Sequence, residues 1–463
     1  MSSDIKYPTP EEEPLDENKI KQKENFEQKG FLEKVWFIKS NISVEPILAG
    51  LIIPSMLARL AIQNLNLDKA CRVKLNYTDD ICDSLIQRKE NLTFYEGEVQ
   101  KVISSIETWK SLVQTALPTL LVIFMGAWSD RTGNRKLSIL LPICGELLVC
   151  ISNILSTFFF REISVEVTMF LEAFFPAITG GWVMVYLGVF SYISDITDEE
   201  SRTFRLGLVN LCMTAGVPIG TALSGILLKL WGYYGIFSLS GTIYLITLSY
   251  GYFYLKTKSK PGIEDAEKAK PITFSDLLAL VKETVAVAFK KRDGAIRRKI
   301  ILTLSVVAII YGPNHGERII TYMFVRYRLK WDALKYSIYS TYSVITHSLV
   351  PIVEILNATT FTSLRSMASK LVLSEEMGKM NSLFSLVETL AALMFDPTYS
   401  ALYSRTIPVF TGAVFIFSAL MTIPAIGTLV WLFTQHRRET KLRKQEAMEK
   451  QIVVHYETVE NSK

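Results

Sequence analysis

The sequence contains little histidine and cysteine, with four and five residues respectively among 463. They form no cluster at metal-ligand spacing, so no metal site is predicted. The chain also lacks a G-x-x-x-x-G-K-[ST] loop, which argues against nucleotide hydrolysis. Because no nucleophile and base stand in a catalytic arrangement either, the sequence predicts neither an enzyme nor a cofactor.

Long apolar stretches with few charges separate the polar parts of the chain. Charged residues crowd into residues 1–40, 64–102, 256–299 and 435–463. The composition is 49% hydrophobic, and the mean hydropathy is +0.25. This is too apolar for an ordinary soluble domain. No secretory signal precedes the first apolar run, so the acidic N-terminal segment is expected to be a cytosolic tail and the first span to target the chain to the membrane.

Ten apolar stretches are long enough to cross a bilayer core of about 30 Å as helices. They are residues 44–63, 106–126, 137–159, 167–191, 206–233, 236–255, 300–322, 336–359, 381–402 and 408–433. The sequence therefore predicts an all-α polytopic membrane protein.

The distribution of Lys and Arg predicts the orientation of these spans. Basic residues concentrate in segments 131–136, 202–205, 256–299 and 437–443, which the span order places on one side. That side is cytosolic by the positive-inside rule. The expected organisation is a cytosolic tail (1–42), a six-helix half (43–255), a cytosolic linker (256–299), a second half with four spans (300–434) and a cytosolic tail (435–463).

The segment of residues 64–102 is hydrophilic and falls on the opposite, lumenal side. It contains two N-glycosylation sequons, headed by Asn76 and Asn91, and both are expected to carry glycans. Cys71 and Cys82 lie eleven positions apart in the same loop, so a local disulfide is expected in an oxidising lumen.

Residues 126–136 carry the most specific motif of the chain, G-A-W-S-D-R-T-G-N-R-K, between two apolar stretches. This run resembles the loop signature of the major facilitator superfamily of secondary transporters. The matching positions are Gly126, Asp130, Arg131, Gly133, Arg135 and Lys136, whereas Asn134 replaces a basic residue. The resemblance implies two helical halves and a loop that latches the inward face when the cavity opens outward.

Further segments resemble solute carrier family 46, which includes the proton-coupled folate transporter. They are Val44-Glu45-Pro46, Ser191–Asp195, Ser201–Arg205, Trp331-Asp332 and Ser369–Val372. The resemblance implies a substrate and proton role for Arg365. The family's proton-coupling glutamate falls at Asn210, which cannot ionise. Coupling would then use other acids, with Glu172, Glu317 and Glu388 as candidates, or differ in kind.

A complete second half needs six spans, but only four are found. Residues 336–350 resemble the first half of span eight, and the residues from Pro351 onward resemble the second half of span ten. The join at Val350–Pro351 therefore indicates a deletion of two helices, through a skipped exon or an incorrect gene model. The alternative is a hidden span, although residues 360–380 are too polar to cross a bilayer.

Ionisable groups at membrane depth cost about 2.5–3.5 kcal/mol each, so each needs a reason. The substrate or proton pathway candidates are Glu45, Glu172, Asn210, His315, Glu317, Arg318, Arg365 and Glu388. Glu45, Glu107 and Lys110 have a competing interpretation as groups that snorkel to the membrane surface.

Two groups of residues, one of Gly and Pro and one of Gly alone, carry separate predictions. Gly312, Pro313 and Gly316 surround His315 and are predicted to interrupt their helix and line a cavity. Gly180, Gly181, Gly216, Gly220 and Gly225 are predicted to allow close helix packing.

These features predict a secondary active transporter of a small organic, carboxylated solute, with protons as a candidate driving ion. The alternative is a truncated, non-transporting isoform that associates with a full-length partner. The predicted location is the plasma or endolysosomal membrane. The lipid bilayer is an expected partner, nucleic acid is not, and a homo-oligomer is left open.

Overall fold

The computed structural model describes residues 44–87, 92–132, 134–196, 199–255, 282, 285–286, 289–290, 296–349, 364, 372 and 377–460. The regular elements within these ranges are helices. They are α1 (Glu45–Lys69), α2 (Asp79–Ile86), α3 (Thr93–Thr132), α4 (Arg135–Phe158), α5 (Val165–Thr179), α6 (Gly181–Ile196), α7 (Glu199–Tyr254), α8 (Ile296–Arg328), α9 (Ala333–Leu349), α10 (Met377–Thr406) and α11 (Ala413–Glu460).

Glycines with positive φ interrupt the helices within two of the apolar regions. The expected span over residues 167–191 is divided into α5 and α6, because Gly180 and Gly181 have φ of 87° and 54°. These glycines therefore form a break between helices, which corrects their prediction as packing residues. The spans predicted at residues 206–233 and 236–255 meet near Gly232, where the backbone leaves the helical conformation with φ of 64°, so α7 consists of two helices joined at a kink.

Within the part of the chain that the structure describes, five helical stretches are long and apolar enough to cross a bilayer. They are Glu45–Lys74, Arg135–Phe158, Val165–Ile193, Leu211–Tyr254 and Ala413–Gln435. Leu211–Tyr254 covers parts of two predicted spans. Helices α3, α8 and α10 are not among these five stretches, and they carry the ionisable residues Lys110, His315 and Asp396 respectively. The count of ten spans stays a prediction, as do the domain boundaries.

In chain order the helices form two groups, α1–α7 and α8–α11, which meet along two pairs of helices. Helix α3 packs against α10, and α7 packs against α9. Within the first group α1 lies along α7, where Gly216 and Gly220 allow contact with Ile52 and Ile53. Gly225 gives the same closeness between α7 and α9. The prediction of close packing at these three glycines agrees with this geometry.

The predicted interruption of the seventh span is wrong. Helix α8 continues from Ile296 to Arg328 through Gly312, Pro313 and Gly316, all of which are buried. The two glycines have a packing role instead, because Gly312 lies against the ring of Phe395 and Gly316 against that of Tyr399. The missing Cβ atoms bring α8 close to α10, as small residues do at helix interfaces.

Candidate functional site

A cavity of about 510 Å³ lies between the two helix groups. Its walls come from α1, α3, α4, α5, α6 and α7 on one side and from α8 and α10 on the other. The charged and titratable side chains that line it are Arg59, Glu107, Lys110, Glu146, Glu172, His315 and Asp396, together with tyrosines. With a neutral histidine, four carboxyl groups face two cations, so this first cavity is acidic.

Glu172 is a buried acid of the first cavity and is 3% exposed. The Lys110 ammonium lies 2.9 Å from Glu172 Oε2 and 3.6 Å from Glu107 Oε2. The Asn66 amide donates to both Glu172 oxygens, at 3.2 and 3.0 Å. Lys110 is buried and points into the protein, which corrects the interpretation that it snorkels. The cluster ties α1, α3 and α5 together beside the cavity.

His315 lies on the opposite wall and contacts a carboxyl group that the sequence analysis did not select. Its Nδ1 is 2.7 Å from Asp396 Oδ1. Asp396 is 3% exposed at its side chain, whereas His315 is 41% exposed, and the Tyr311 ring stacks on the imidazole at 5.8 Å. The pair therefore places one ring nitrogen in the cavity and the other on a buried acid, which suits proton exchange.

A second cavity of about 540 Å³ is lined by α1, α7, α8 and α9. Its ionisable side chains are Arg59, Glu317 and Arg318, with the phenols of Tyr336 and Tyr339. Arg59 and Gln63 line both cavities, so α1 stands between them. Glu317 and Arg318 were both predicted from the sequence as pathway residues, and both line this second cavity.

A buried ion pair joins the two helix groups at the end where α3 begins and α8 ends. Arg326 Nε lies 2.7 Å from Glu96 Oε1, and both side chains are 6% exposed. Asn64 Oδ1 accepts from Arg326 Nη1 and from the Tyr322 hydroxyl, both at 2.9 Å. This end of the bundle is the one that the charge distribution predicts to be lumenal.

Gln100 extends the same network from α3 to two helices of the second group. Its Nε2 donates to Glu96 Oε1 at 2.8 Å and to the Met323 carbonyl at 3.0 Å. Its Oε1 accepts from the Tyr403 hydroxyl at 2.8 Å. The network is a polar closure between the cavities and this end, held by direct hydrogen bonds across the interface.

The loop motif brings together helix ends of the first group on the side predicted to be cytosolic. Arg135 Nε is 2.8 Å from Asp195 Oδ2, and its Nη1 is 3.2 Å from the Ser129 hydroxyl. Lys136 contacts the Tyr252 carbonyl and lies 4.4 Å over the ring of the same residue. Asn134, where the motif departs from the usual basic residue, caps α4 by accepting from the Leu137 amide at 3.4 Å. Gly133 lies outside the described residues. Gly126, Asp130 and Arg131 are described only by their helical backbone.

Two other predicted pathway residues that the structure describes, Glu45 and Glu388, line neither cavity. Glu45 begins α1, is 3% exposed and lies 3.5 Å from Arg205 Nη2, so it is an internal ion-pair partner. Glu388 is half-buried on α10 beside the cavity residue Thr389. Arg365 and the side chain of Asn210 lie outside the described residues.

The loop predicted to be lumenal is fastened at several points. Cys71 and Cys82 are disulfide-bonded, with their Cα atoms 6.0 Å apart. Arg72 lies 2.7 Å from both Asp68 and Asp79, which links α1 to α2. Asn76 is exposed and has φ of 51°, whereas Asn91 lies outside the described residues.

Comparison with known proteins places this architecture in a family. Residues 103–356 match the model of the Major Facilitator Superfamily. The chain is similar to the lysosomal proton-coupled steroid conjugate and bile acid symporter of Gallus gallus, with 21% identity over 84% of this chain and 93% of the relative. It is also similar to the proton-coupled folate transporter of Rattus norvegicus, with 23% identity over 65% of this chain and 73% of the relative.

Among solved structures, the chain is similar to the POT family transporter PepTSo. The TM-score is 0.50 at 11% identity, covering 84% of this chain and 97% of that one, which shows the fold alone. The resemblance to solute carrier family 46 is confirmed by the named relatives. The family model covers more than half of the sequence, and this multi-pass membrane protein, a secondary transporter, belongs to the major facilitator superfamily.

Proposed function

We propose that this chain carries the architecture of a proton-coupled transporter for a carboxylated organic solute. The observation that supports this most is the His315–Asp396 pair, at 2.7 Å in the wall of a cavity between the two helix groups. The names of the relatives describe proton-coupled transport of folate and of steroid conjugates and bile acids, which agrees with such a solute.

Charge provides the coupling in this proposal. The first cavity contains Glu107, Glu146, Glu172 and Asp396 against Arg59 and Lys110, so an organic anion enters it against net negative charge. Protonation of the His315–Asp396 pair adds one positive charge. Two unit charges roughly 8 Å apart interact by about 2 kcal/mol at an effective dielectric constant near 20, a factor of about 30 in affinity. Proton binding therefore favours anion binding.

The test is uptake at two pH values by a form that carries the apparently missing segment, since the proposal concerns the complete cavity. We expect faster uptake of a carboxylated solute at pH 5.5 than at pH 7.5. Asp396→Asn and His315→Ala should each remove most of the acid stimulation, and Arg365→Ala should weaken uptake. Asp80→Asn, at an exposed carboxylate of α2, is the control. Unchanged acid stimulation in Asp396→Asn would overturn the coupling role and turn attention to Glu172, Glu317 or Glu388.

Alternating access is assigned two closing devices in this proposal. The Glu96–Arg326 network closes the predicted lumenal end, and loop 126–136 latches the cytosolic end. The contact of Arg135 with Asp195 supports a loop held rigidly within the first group. Asp130→Ala and Arg135→Ala should reduce uptake and leave surface abundance largely intact, and normal uptake in Asp130→Ala would refute the latch.

A second candidate function is a truncated isoform that associates with a full-length partner and does not transport. The Gallus gallus alignment spans 440 positions, whereas 84% of 463 residues is about 389, so about 51 aligned positions have no residue in this chain. This number is close to the length of two membrane helices with their loop, which supports a deletion.

The two functions give different uptake results. The 463-residue form should show little or no uptake if the segment of about 50 residues is essential, and its restoration at Val350–Pro351 should recover uptake. Robust uptake by the short form would contradict the deletion argument. Comparison of the transcript with the gene would show directly whether an in-frame exon of that length is skipped.

A further inference from the structure

Two arginines line the second cavity from different helix groups. Arg59 lies on α1, and Arg318 lies on α8. Both side chains are exposed to the cavity, and among the described residues no carboxylate lies within ion-pair distance of either guanidinium. This contrasts with Arg72, Arg135, Arg205 and Arg326, each of which has a carboxylate partner within 4.0 Å.

The balance of charge differs between the two cavities. The first cavity has four carboxyl groups and two cations, apart from His315. The second has one carboxyl group, Glu317, and two guanidinium groups. Because Arg59 lines both, it stands where an acidic cavity adjoins a basic one. An organic anion that enters this space is attracted to the Arg59–Arg318 side and repelled from the opposite side.

We propose that Arg59 and Arg318 together bind the carboxylate of the transported solute, one guanidinium from each helix group. The proposal rests on the transport function proposed above and names the subsite that holds the charged end of the solute. A guanidinium offers paired N–H donors whose planar geometry matches a carboxylate, which an ammonium group does not reproduce.

Neutral donors of the cavity complete the subsite. Gln63 lies one turn from Arg59 on α1, and Ser340 lies on α9 across the cavity. The apolar body of the solute then extends past Arg59 toward Trp182, Tyr311 and Tyr322, which line the first cavity. The solute therefore lies across α1, with its charge in one cavity and its apolar part in the other.

Ligand binding to both arginines has a conformational consequence. The carboxylate bridges α1 and α8, which belong to different helix groups, so binding contributes to bringing the groups together. Neither arginine alone provides the recognition, because the carboxylate must contact both guanidinium groups. Loss of either should therefore remove most of the preference for a charged ligand, and loss of both should cost little more than loss of one, since the two act as a unit.

Binding of two fluorescent probes to the purified 463-residue chain in lipid nanodiscs tests the subsite without requiring uptake. The probes are 1-pyrenebutyrate and its uncharged amide, 1-pyrenebutyramide, which share shape and differ in charge. We expect the chain to bind the carboxylate at least ten-fold more tightly. Arg59→Gln and Arg318→Gln should each reduce carboxylate affinity at least ten-fold and leave amide affinity within two-fold. Arg59→Lys should recover the charge but not the full affinity.

Arg405→Gln is the matched control, because this exposed arginine of α10 lines neither cavity. Thermal unfolding of each variant checks that the chain stays folded. Carboxylate affinity within two-fold of the parent in both Gln variants would overturn the proposal, as would an equal loss for the amide. A chain that shows the arginine-dependent preference while the restored form lacks acid-stimulated uptake would support the subsite and reject proton coupling.

Discussion

At the scale of single residues, the buried Glu96–Arg326 ion pair joins the two helix groups. Removal of one partner from such a pair leaves an uncompensated buried charge, at a cost of about 3–5 kcal/mol. Arg326→Met should therefore lower the thermal stability of the purified protein substantially. Arg328→Met, two positions further along the same helix at an exposed site, is the control and should leave stability nearly unchanged. Equal unfolding temperatures for the two variants would contradict the closure.

Asp79 gives a residue-scale prediction about pH. The hydrogen bond from Arg72 lowers the pKa of this carboxyl below its usual 3.8, and the Arg161 guanidinium at 3.0 Å adds to the effect. A lowered pKa in the folded state means that the contribution to stability is complete above the unfolded pKa and is lost as the pH falls through the folded pKa. Proteolysis of the loop should therefore be equal at pH 7 and pH 5 and rise only below about pH 4.

The Asp79→Asn variant checks the sign of this effect. It lacks the ionisable carboxylate, so the loop should be cleaved faster at pH 7 and its cleavage should change less between pH 5 and pH 3. A parent loop that already opens at pH 5 would show that another group controls it.

Residue identity alone could indicate His315 but not its partner. A histidine next to Gly, Glu and Arg in an apolar stretch is visible in the sequence, whereas Asp396 lies 81 positions away in a helix without a motif. Their contact depends on the packing of α8 on α10, which no spacing along the chain encodes. Arg326 and Glu96 were missed for the same reason, since they lie 230 positions apart. A charged group inside an otherwise apolar stretch was the available signal for Asp396.

At the scale of helices, the close contact of α1 with α7 depends on Gly220. A Cβ added there would lie 2.7 Å from the Ile53 carbonyl oxygen and 2.6 Å from Met56 Cβ, so the helices would have to separate. Gly220→Ala should destabilise the protein by roughly 1–3 kcal/mol. Gly427→Ala is the matched control, because no atom lies within 4 Å of its added Cβ. The control should be neutral or more stable by up to about 1 kcal/mol, and thermal unfolding of both variants provides the measurement.

Helix existence was predictable, but helix breaks were not. Hydropathy located the apolar stretches because it averages over about 20 residues. The same averaging hid the break at Gly180–Gly181, where two residues with positive φ interrupt an apolar run. It also gave no reason to keep α8 continuous through Pro313, where packing against α10 overrides the usual effect of Gly and Pro on a helix.

At the scale of the whole molecule, glycosylation tests the predicted orientation. Asn76 is exposed in the segment closed by the Cys71–Cys82 disulfide, so its side chain is accessible for glycan attachment. Treatment with a glycosidase should reduce the apparent mass of the protein, and the double variant Asn76→Gln with Asn91→Gln should abolish this shift. Asn357 also heads a sequon, Asn357-Ala358-Thr359, within a predicted span. A glycan on Asn357 instead would show that the orientation of the span around residues 336–359 is wrong.

The sequence predicted the all-helical class and the transporter family, because the motif at residues 126–136 and the apolar stretches are local features. The two cavities could not be predicted, because Arg59 lines both of them only as a result of the position of α1 between the cavities. Arg365 and the join at Val350–Pro351 lie outside the described residues, so their roles stay predictions.

The polar network around Glu96, Gln100 and Arg326 also makes opening of that end a hydration event. Each group now bonded across the interface must gain water molecules when the helix groups separate, and each water occupies about 30 Å³. Solutes such as sucrose are excluded from protein surfaces and favour states that expose less of them. Osmotic pressure on the side predicted to be lumenal should therefore disfavour the open state. The turnover of a transporter built on this bundle should then depend on the water content of the compartment that this end faces.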